Sequence, residues 1–211
     1  MQLEQFEALP LMGILRGIAQ EEVAPLVETV ISAGLKTIEI TMNTAGAPAL
    51  IRELVSCAAG RLHVGAGTVL NEVDLDIAIA AGAEFIVMPT LVREVVRRCK
   101  IEEIPVFPGA LTPQEIHNAY AAGATMVKVF PANLFGPAYF KDVLGPFDDV
   151  PLLACGGVNE TTVGAFFQNG ARGASFGGSI FKREWLSKGQ FDRVGEAVAS
   201  LIGAYRRATM C

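Results

Sequence analysis

The chain has 211 residues, of which 51% are hydrophobic and 18% are charged, and its formal net charge is −5. With a sequence pI of about 5.1 and no basic stripe, the composition excludes a protein that tracks nucleic acid. No apolar run approaches the roughly 18 residues that a membrane-spanning helix needs, and the first nine residues resemble no signal peptide. We therefore expect a cytoplasmic protein whose four cysteines are free thiols.

One pattern recurs along the chain: a helical segment ends in Gly, usually after Ala, and a β-rich run soon follows. Glycine suits the left-handed position that ends a helix. Eight strands are predicted, at residues 11–16, 37–41, 62–66, 85–88, 104–108, 126–130, 151–155 and 173–177. Helical patterns separate them, at residues 20–33, 45–58, 71–81, 91–100, 112–122, 137–144, 160–169 and 191–207.

Strict alternation of strand and helix predicts a parallel sheet, and eight units predict its closure. The mean hydropathy of +0.40 fits strands that are buried on both faces. We therefore predict an α/β fold, a single (β/α)8 TIM barrel over residues 1–211, with no linker and no second domain. An open, doubly wound sheet is the main alternative.

Two ionisable residues lie in the middle of predicted strands, Lys128 within Met126–Pro131 and Glu39 within Thr37–Thr41. Alternation along each strand points both side chains into the barrel. Burial lowers the pKa of a lysine, and a neutral amine can attack a ketone to form a Schiff base while a carboxylate moves protons. From spacing alone, a structural ion pair between Lys128 and Glu39 explains the pattern almost equally well.

Cationic residues occur near two other strand ends. Arg16 closes the first predicted strand, where a guanidinium can bind a carboxylate or phosphate with two hydrogen bonds or form a salt bridge at the barrel rim. A basic cluster after the last strand is interpreted as a solvated loop rather than a phosphate contact. It consists of Lys182, Arg183 and Lys188.

Glycine-rich segments follow three of the predicted strands. Thr68 ends the first of them and could donate its hydroxyl to a substrate carboxylate. The pairs Gly156-Gly157 and Gly177-Gly178, the second followed by Ser179, come after strands seven and eight. In such barrels these two loops often bind phosphate, because glycine lets backbone N–H groups converge on an anion. Simple tight turns are the alternative.

Taken together, these segments resemble the KHG/KDPG aldolase family, from Gly13 to about Gly178. The motifs are Ile14-Leu15-Arg16-Gly17, Ile38-Glu39-Ile40, Gly65-Ala66-Gly67-Thr68-Val69, Pro108-Gly109, Lys128-Val129-Phe130-Pro131 and Gly156-Gly157. Members split a 2-keto-3-deoxy-6-phospho sugar acid into pyruvate and glyceraldehyde 3-phosphate. They are class I aldolases, use no metal or cofactor, and typically form homotrimers. The resemblance implies the same activity and assembly here, with a phosphorylated 2-keto acid as the ligand and no nucleic-acid or membrane partner.

The resemblance also implies a role for each candidate residue. Lys128 is the expected Schiff-base lysine and Glu39 the general acid/base. Arg16 and Thr68 are expected to bind the carboxylate of the pyruvate half, and Pro89 and Phe130 to wall the pocket. The resemblance implies a phosphate cradle at Gly156, Gly157, Gly177, Gly178 and Ser179, with Cys155 beside it.

The chain departs from many phosphogluconate-type members at two positions. Asn43 stands where they have Arg, and Cys155 where they have Thr. Asn43 and Phe135-Gly136-Pro137 resemble the phosphogalactonate branch, whose substrate differs in configuration at C4. The sequence thus leaves the configuration open and slightly favours the galactonate. The shorter 4-hydroxy-2-oxoglutarate is a further candidate substrate.

Three other functions fit parts of the pattern. A sugar-phosphate epimerase or isomerase could use Lys128 and Glu39 as a proton-transfer pair without a covalent intermediate. A non-catalytic phosphometabolite-binding protein is disfavoured, because two inward ionisable groups cost stability. A metal-dependent aldolase is the weakest alternative, since Glu39 is the only clear carboxylate at a strand end and no histidine motif suggests a metal site.

Overall fold

The computed structural model describes residues 1–210, in which strands and helices alternate. The strand segments are β1 (Leu11–Leu15), β2 (Thr37–Thr41), β3 (His63–Gly67), β4 (Ile86–Val87), β5 (Val106–Phe107), β6 (Gly109–Ala110), β7 (Val127–Val129), β8 (Leu152–Cys155) and β9 (Gly173–Phe176). The α-helices are α1 (Leu3–Glu7), α2 (Gln20–Ser32), α3 (Ala47–Ala58), α4 (Glu72–Ala80), α5 (Arg93–Ile101), α6 (Pro113–Ala122), α7 (Ala138–Leu144), α8 (Val163–Gln168), α9 (Arg183–Ser187) and α10 (Phe191–Thr209). A short 3-10 turn covers Ala132–Leu134.

All neighbouring strands are parallel, in the order β5-β4-β3-β2-β1-β9-β8-β7-β6. The two segments at the ends of this order, β5 and β6, are separated only by Pro108. Proline has no N–H to donate, so the hydrogen-bonded ladder is interrupted there: β5 pairs with β4, and β6 pairs with β7. The pair acts as one bent strand that closes an eight-stranded barrel. The predicted (β/α)8 barrel is confirmed, with the fifth strand about two residues later than expected.

The glycines that end the predicted helices adopt the expected backbone conformation. Gly34, Gly82, Gly123 and Gly170 have φ between 92° and 108°. Residues with side chains rarely adopt this left-handed conformation. These glycines therefore end the helices where the sequence pattern placed the boundaries.

Apolar side chains fill both sides of the sheet. Those that point outward pack beneath the helices, as Val127 and Val129 do. An inner cluster fills the barrel with Phe6, Met12, Phe85, Val87, Phe107, Met126, Leu153 and Cys155. Phe6 belongs to α1, a helix that the sequence analysis missed, and its ring lies 5.6 Å from that of Phe107. Phe6 also packs at Gly173, where β9 begins, so α1 plugs the N-terminal end of the barrel.

Two helices differ from their predictions for local reasons. α8 begins at Val163 rather than at residue 160, because Asn159 and Thr162 form a turn in which the Asn159 N–H donates to Thr162 Oγ1 at 3.0 Å. α9 lies where a solvated loop was expected.

Cys57, Cys99 and Cys155 are free thiols as expected, and Cys211 lies outside the described residues. Within residues 1–210, no helix is both long and apolar enough to cross a membrane.

Candidate active site

Lys128 lies at the middle of β7 with its side chain turned into the barrel. Its two neighbours, Val127 and Val129, are fully buried beneath the helices, so alternation directs the lysine to the other face. Only 7% of Lys128 is exposed, and its Nζ lies 5.3 Å from the centroid of the Phe130 ring. Among residues 1–210, no carboxylate forms an ion pair with this amine. The alternative interpretation, a structural ion pair with Glu39, is therefore not supported within residues 1–210, although the Lys128 charge still acts on Glu39.

Glu39 lies on the inner face of β2, opposite Ile14 of β1 and Gly65 of β3. The carboxyl group is almost fully buried, and within residues 1–210 its Oε2 atom has no hydrogen-bond partner. A side chain on Gly67 would collide with the other oxygen, Oε1, so this glycine provides the space for the carboxyl group. Burial raises the pKa of Glu39 from 4.5 to about 7, against the opposing attraction of the Lys128 and Arg16 charges.

Three charged groups from three strands thus meet at the C-terminal end of the barrel. Lys128 comes from β7, Glu39 from β2, and Arg16 follows β1 directly. Both cations stabilise the ionised form of Glu39. A carboxyl group with a pKa near neutral can accept and return a proton at physiological pH.

A cavity of about 430 Å³ opens beside Arg16. Arg16 and Phe130 border it, together with the loops that follow β8 and β9. The predicted site residues that line it are Arg16, Phe130, Cys155, Gly156, Gly157, Gly177, Gly178 and Ser179. Phe130 is 41% exposed, and its ring links the cavity to the buried amine of Lys128.

The loop after β8 requires both of its glycines. Gly156 and Gly157 have φ of 105° and 72°, and Asn133 packs against them. A Cβ on Gly156 would lie 3.0 Å from Asn133 Oδ1, and one on Gly157 would lie 2.7 Å from Asn133 Cβ. Ser179, in the neighbouring loop, donates its hydroxyl to the Val158 carbonyl at 2.7 Å. This bond holds the two glycine-rich loops together.

Four predicted site residues do not line this cavity: Lys128, Glu39, Pro89 and Thr68. Pro89 borders a smaller cavity of about 350 Å³, and Phe130 borders both cavities. Thr68 borders neither of them, but it follows β3 directly and has a φ of 58°. Such a conformation is costly for a residue with a branched side chain. Non-glycine residues in this conformation cluster at functional sites, which fits the predicted role of Thr68.

The basic cluster is exposed to solvent, as expected, but it lies on a short helix rather than in a loop. Lys182 precedes α9, Arg183 begins it and Lys188 follows it. Arg183 also borders the main cavity, and its Nη1 lies 2.6 Å from Glu22 Oε2. Its partner is 161 residues away in sequence. No local pattern could have indicated this contact.

The two histidines have other partners. His63 Nδ1 lies 2.8 Å from Glu84 Oε2, and the His117 ring stacks on Phe147. Within residues 1–210, no group of three or more His, Cys, Asp or Glu side chains is placed to hold a metal ion.

Comparison with known proteins identifies the family. The family described as KDPG and KHG aldolase matches residues 3–197. A 2-dehydro-3-deoxy-6-phosphogalactonate aldolase of Escherichia coli K12 is 34% identical over 95% of this chain and 96% of its own. A 2-dehydro-3-deoxy-phosphogluconate aldolase of Pseudomonas aeruginosa is 37% identical over 72% of this chain and 67% of its own. A solved structure described as native KDPGal superposes with a TM-score of 0.89 at 33% identity, over 96% of this chain and 97% of its own. The chain therefore belongs to the KDPG and KHG aldolase family and is an aldolase, a carbon–carbon lyase.

Proposed function

We propose that this aldolase cleaves a 2-keto-3-deoxy-6-phospho sugar acid to pyruvate and glyceraldehyde 3-phosphate through a Schiff base on Lys128. One observation carries the proposal: a buried lysine without an ion-pair partner in the described chain lies near a buried carboxyl group of nearly neutral pKa. The substrate class is supported by the relatives named as phosphogalactonate and phosphogluconate aldolases. The cavity that Phe130 joins to Lys128 provides room for a sugar acid.

The first half of the reaction forms the covalent intermediate. The neutral Lys128 amine attacks the C2 ketone, and the resulting carbinolamine loses water to give a protonated Schiff base. The C3–C4 bond then breaks, and its electron pair moves toward the positively charged nitrogen and forms an enamine. The C4 carbon leaves as the aldehyde of glyceraldehyde 3-phosphate.

Glu39 moves the protons that these steps require. As a carboxylic acid it protonates the departing hydroxyl of the carbinolamine, and as a carboxylate it removes the proton of the C4 hydroxyl when the C–C bond breaks. It then returns a proton to C3 of the enamine, and hydrolysis releases pyruvate and the free amine. A pKa of about 7 keeps both forms of Glu39 populated near neutral pH.

The remaining residues position the substrate. We assign the C1 carboxylate to Arg16, whose charge acts on Glu39, and to the Thr68 hydroxyl. Phe130, which borders both cavities, and Pro89 form the walls. The terminal phosphate lies against the backbone N–H groups of the glycine loops after β8 and β9, beside Cys155.

Borohydride trapping with pyruvate, followed by peptide mass spectrometry, tests the mechanism. We expect a reduced pyruvyl adduct on Lys128 and none in a Lys128→Met variant. A folded protein that gives no adduct at saturating pyruvate would contradict the Schiff base. The epimerase or isomerase function, with Lys128 as a proton carrier, would then be favoured.

The configuration of the substrate at C4 is a separate proposal. We propose the galactonate, because a phosphogalactonate aldolase is similar along 95% of this chain, and because Asn43 and Phe135-Gly136-Pro137 resemble that branch. The ratio of kcat/KM on the two epimers measures this preference. A ratio that strongly favours the gluconate would contradict it.

We further propose that residues 1–211 form one domain and that the protein is a cytoplasmic homotrimer. The barrel supports a single unit, since its strands run from Leu11 to Phe176. Exposed apolar side chains support association: Val73 and Ile77 on α4 are 67% and 40% exposed, and Leu70, just before α4, is 49% exposed. Sedimentation equilibrium should give three times the chain mass, and Val73→Asp should lower it. A wild-type monomer would contradict the trimer.

A further inference from the structure

We infer that Arg183 is a substrate-binding residue that selects phosphorylated substrates by pairing with their terminal phosphate. This inference rests on the proposed function. Arg183 borders the same cavity as both glycine pairs, and in the folded chain it comes from α9, directly beyond the second glycine loop.

Glu22 holds the arginine in place. Its carboxylate is 5% exposed, and Oε2 accepts two hydrogen bonds, from the Ala19 N–H at 2.8 Å and from Arg183 Nη1 at 2.6 Å. The first bond fixes the carboxylate to the start of helix α2. The second fixes one corner of the guanidinium, whose Nη2 and Nε donors have no partner within residues 1–210. A planar guanidinium held at one nitrogen can still donate two bonds to a phosphate.

The other side chains that line the cavity offer few donors. Ser179 donates its hydroxyl to the Val158 carbonyl, and Ser175 is placed to donate to the Ala154 carbonyl at 3.4 Å. Arg16 and Arg183 are the two cations among the lining residues. Backbone N–H groups carry no net charge, so a cation among the lining residues would bind a phosphate of nearly two negative charges with stronger, charge-assisted hydrogen bonds.

The two arginines serve different ends of the cavity. The charge of Arg16 acts on the Glu39 carboxyl group, whereas Arg183 is not among the groups that shift the Glu39 pKa. Arg16 thus lies at the reacting end and is assigned to the C1 carboxylate. Arg183 lies at the glycine-loop end, where the C6 phosphate must be placed.

The neighbouring basic residues do not compete for this role. Lys182 Nζ lies 4.2 Å from the centroid of the Trp185 ring, and Lys188 Nζ lies 2.8 Å from Glu184 Oε1. Neither residue lines the cavity. Lys188 therefore provides a matched control, since Lys188→Gln removes the same charge from the same segment away from the cavity.

The test compares Arg183→Gln, Arg183→Lys and Lys188→Gln with the wild type in steady-state cleavage and in inhibition by inorganic phosphate. We expect Arg183→Gln to raise both the KM of the phosphorylated substrate and the Ki of phosphate by on the order of tenfold or more, as for the loss of a charge-assisted hydrogen bond. Arg183→Lys should recover part of this loss. Lys188→Gln should match the wild type.

Borohydride trapping with pyruvate separates this inference from the proposed function, because pyruvate has no phosphate. The adduct on Lys128 should form equally in the wild type and in Arg183→Gln, which also shows that the variant is folded. Equal trapping with unchanged KM and Ki in Arg183→Gln would overturn the inference and leave the aldolase mechanism standing. No trapping in any protein would overturn the mechanism, and the assignment of Arg183 with it.

Discussion

The two ends of the active-site cavity are built in different ways. At the reacting end, Lys128 and Glu39 project from the middle of strands, and hydrogen-bonded ladders on both sides fix their backbone. At the other end, the phosphate end, we propose that backbone N–H groups of two loops bind the phosphate. The loop after β8 depends on the left-handed Gly156 and Gly157 and on Asn133 behind them.

Because of this difference, we expect substitutions at the two ends to have different effects on activity and stability. The reacting end depends on side-chain charge in a buried setting, where removal of water strengthens every electrostatic interaction. Changes there should lower kcat and leave the fold intact. The phosphate end depends on backbone conformation, so changes there should raise KM and reduce stability together.

The largest effect is expected at Lys128. Lys128→Met removes the nucleophile and leaves a side chain of similar length against the Phe130 ring. We expect cleavage to fall by about 10⁴-fold or more, as when a covalent nucleophile is removed, with an unchanged circular dichroism spectrum. Steady-state rates on the phosphorylated substrate measure the loss. A Lys128→Met enzyme that keeps its activity would overturn the mechanism.

The next effect is expected at Glu39. Glu39→Gln keeps the shape of the side chain but cannot exchange protons, so we expect kcat to fall by roughly 10²–10⁴-fold with little change in KM. The wild-type pH profile should show a group near pH 7 that is absent from the residual activity of the variant. An unchanged kcat would return Glu39 to a structural role.

Glu39 should also make stability depend on pH. Below about pH 4.5 the carboxyl group is protonated in both states. Above that pH the unfolded chain ionises first, because burial raises the folded pKa to about 7, so wild-type stability is lost as pH rises through this interval. The full interval corresponds to about 3 kcal/mol at most, at about 1.4 kcal/mol per pH unit.

Urea unfolding from pH 4 to pH 8 measures this loss. Glu39→Gln should gain stability relative to the wild type across that range and then level off. Glu196→Gln, which removes an exposed carboxylate of α10, is the control and should parallel the wild type. Parallel curves for all three proteins would show that the pKa of Glu39 is the same in the folded and unfolded states, which would contradict the prediction.

The reacting end could largely be predicted from the sequence, because strand alternation is a local rule. Valines on both sides of Lys128 predicted its inward direction, and the structure buries them under the helices. The barrel could be predicted for the same reason, because each helix-ending glycine is a local signal that marks where a helix ends and the next strand begins. The fifth strand was misplaced because the apolar run Ile104–Pro108 contains two prolines, and the paired residues continue through Gly109 and Ala110.

The phosphate end was predicted less completely, because its parts meet only in the folded chain. The glycine pairs were recognised, but the contact of Asn133 behind them links two different βα loops. The position of Arg183 at the cavity could not be predicted, because its partner Glu22 lies near the other end of the chain. α1 was also missed: its apolar residues Leu3 and Phe6 are too few to show a helical period.

The smallest expected effect separates backbone strain from phosphate binding. Gly157→Ala forces a side chain into a left-handed conformation, φ 72°, at 2.7 Å from Asn133 Cβ. Gly60→Ala imposes the same strain at φ 76° with no atom within 4 Å, in the turn between α3 and β3. Gly60→Ala should lose about 1–2 kcal/mol of stability, and Gly157→Ala should lose more, because Asn133 must also shift. Only Gly157→Ala should raise KM, by about tenfold, because we assign the phosphate to its loop. Urea unfolding and steady-state kinetics on both variants measure the two effects, and equal KM values would place the phosphate away from the β8 loop.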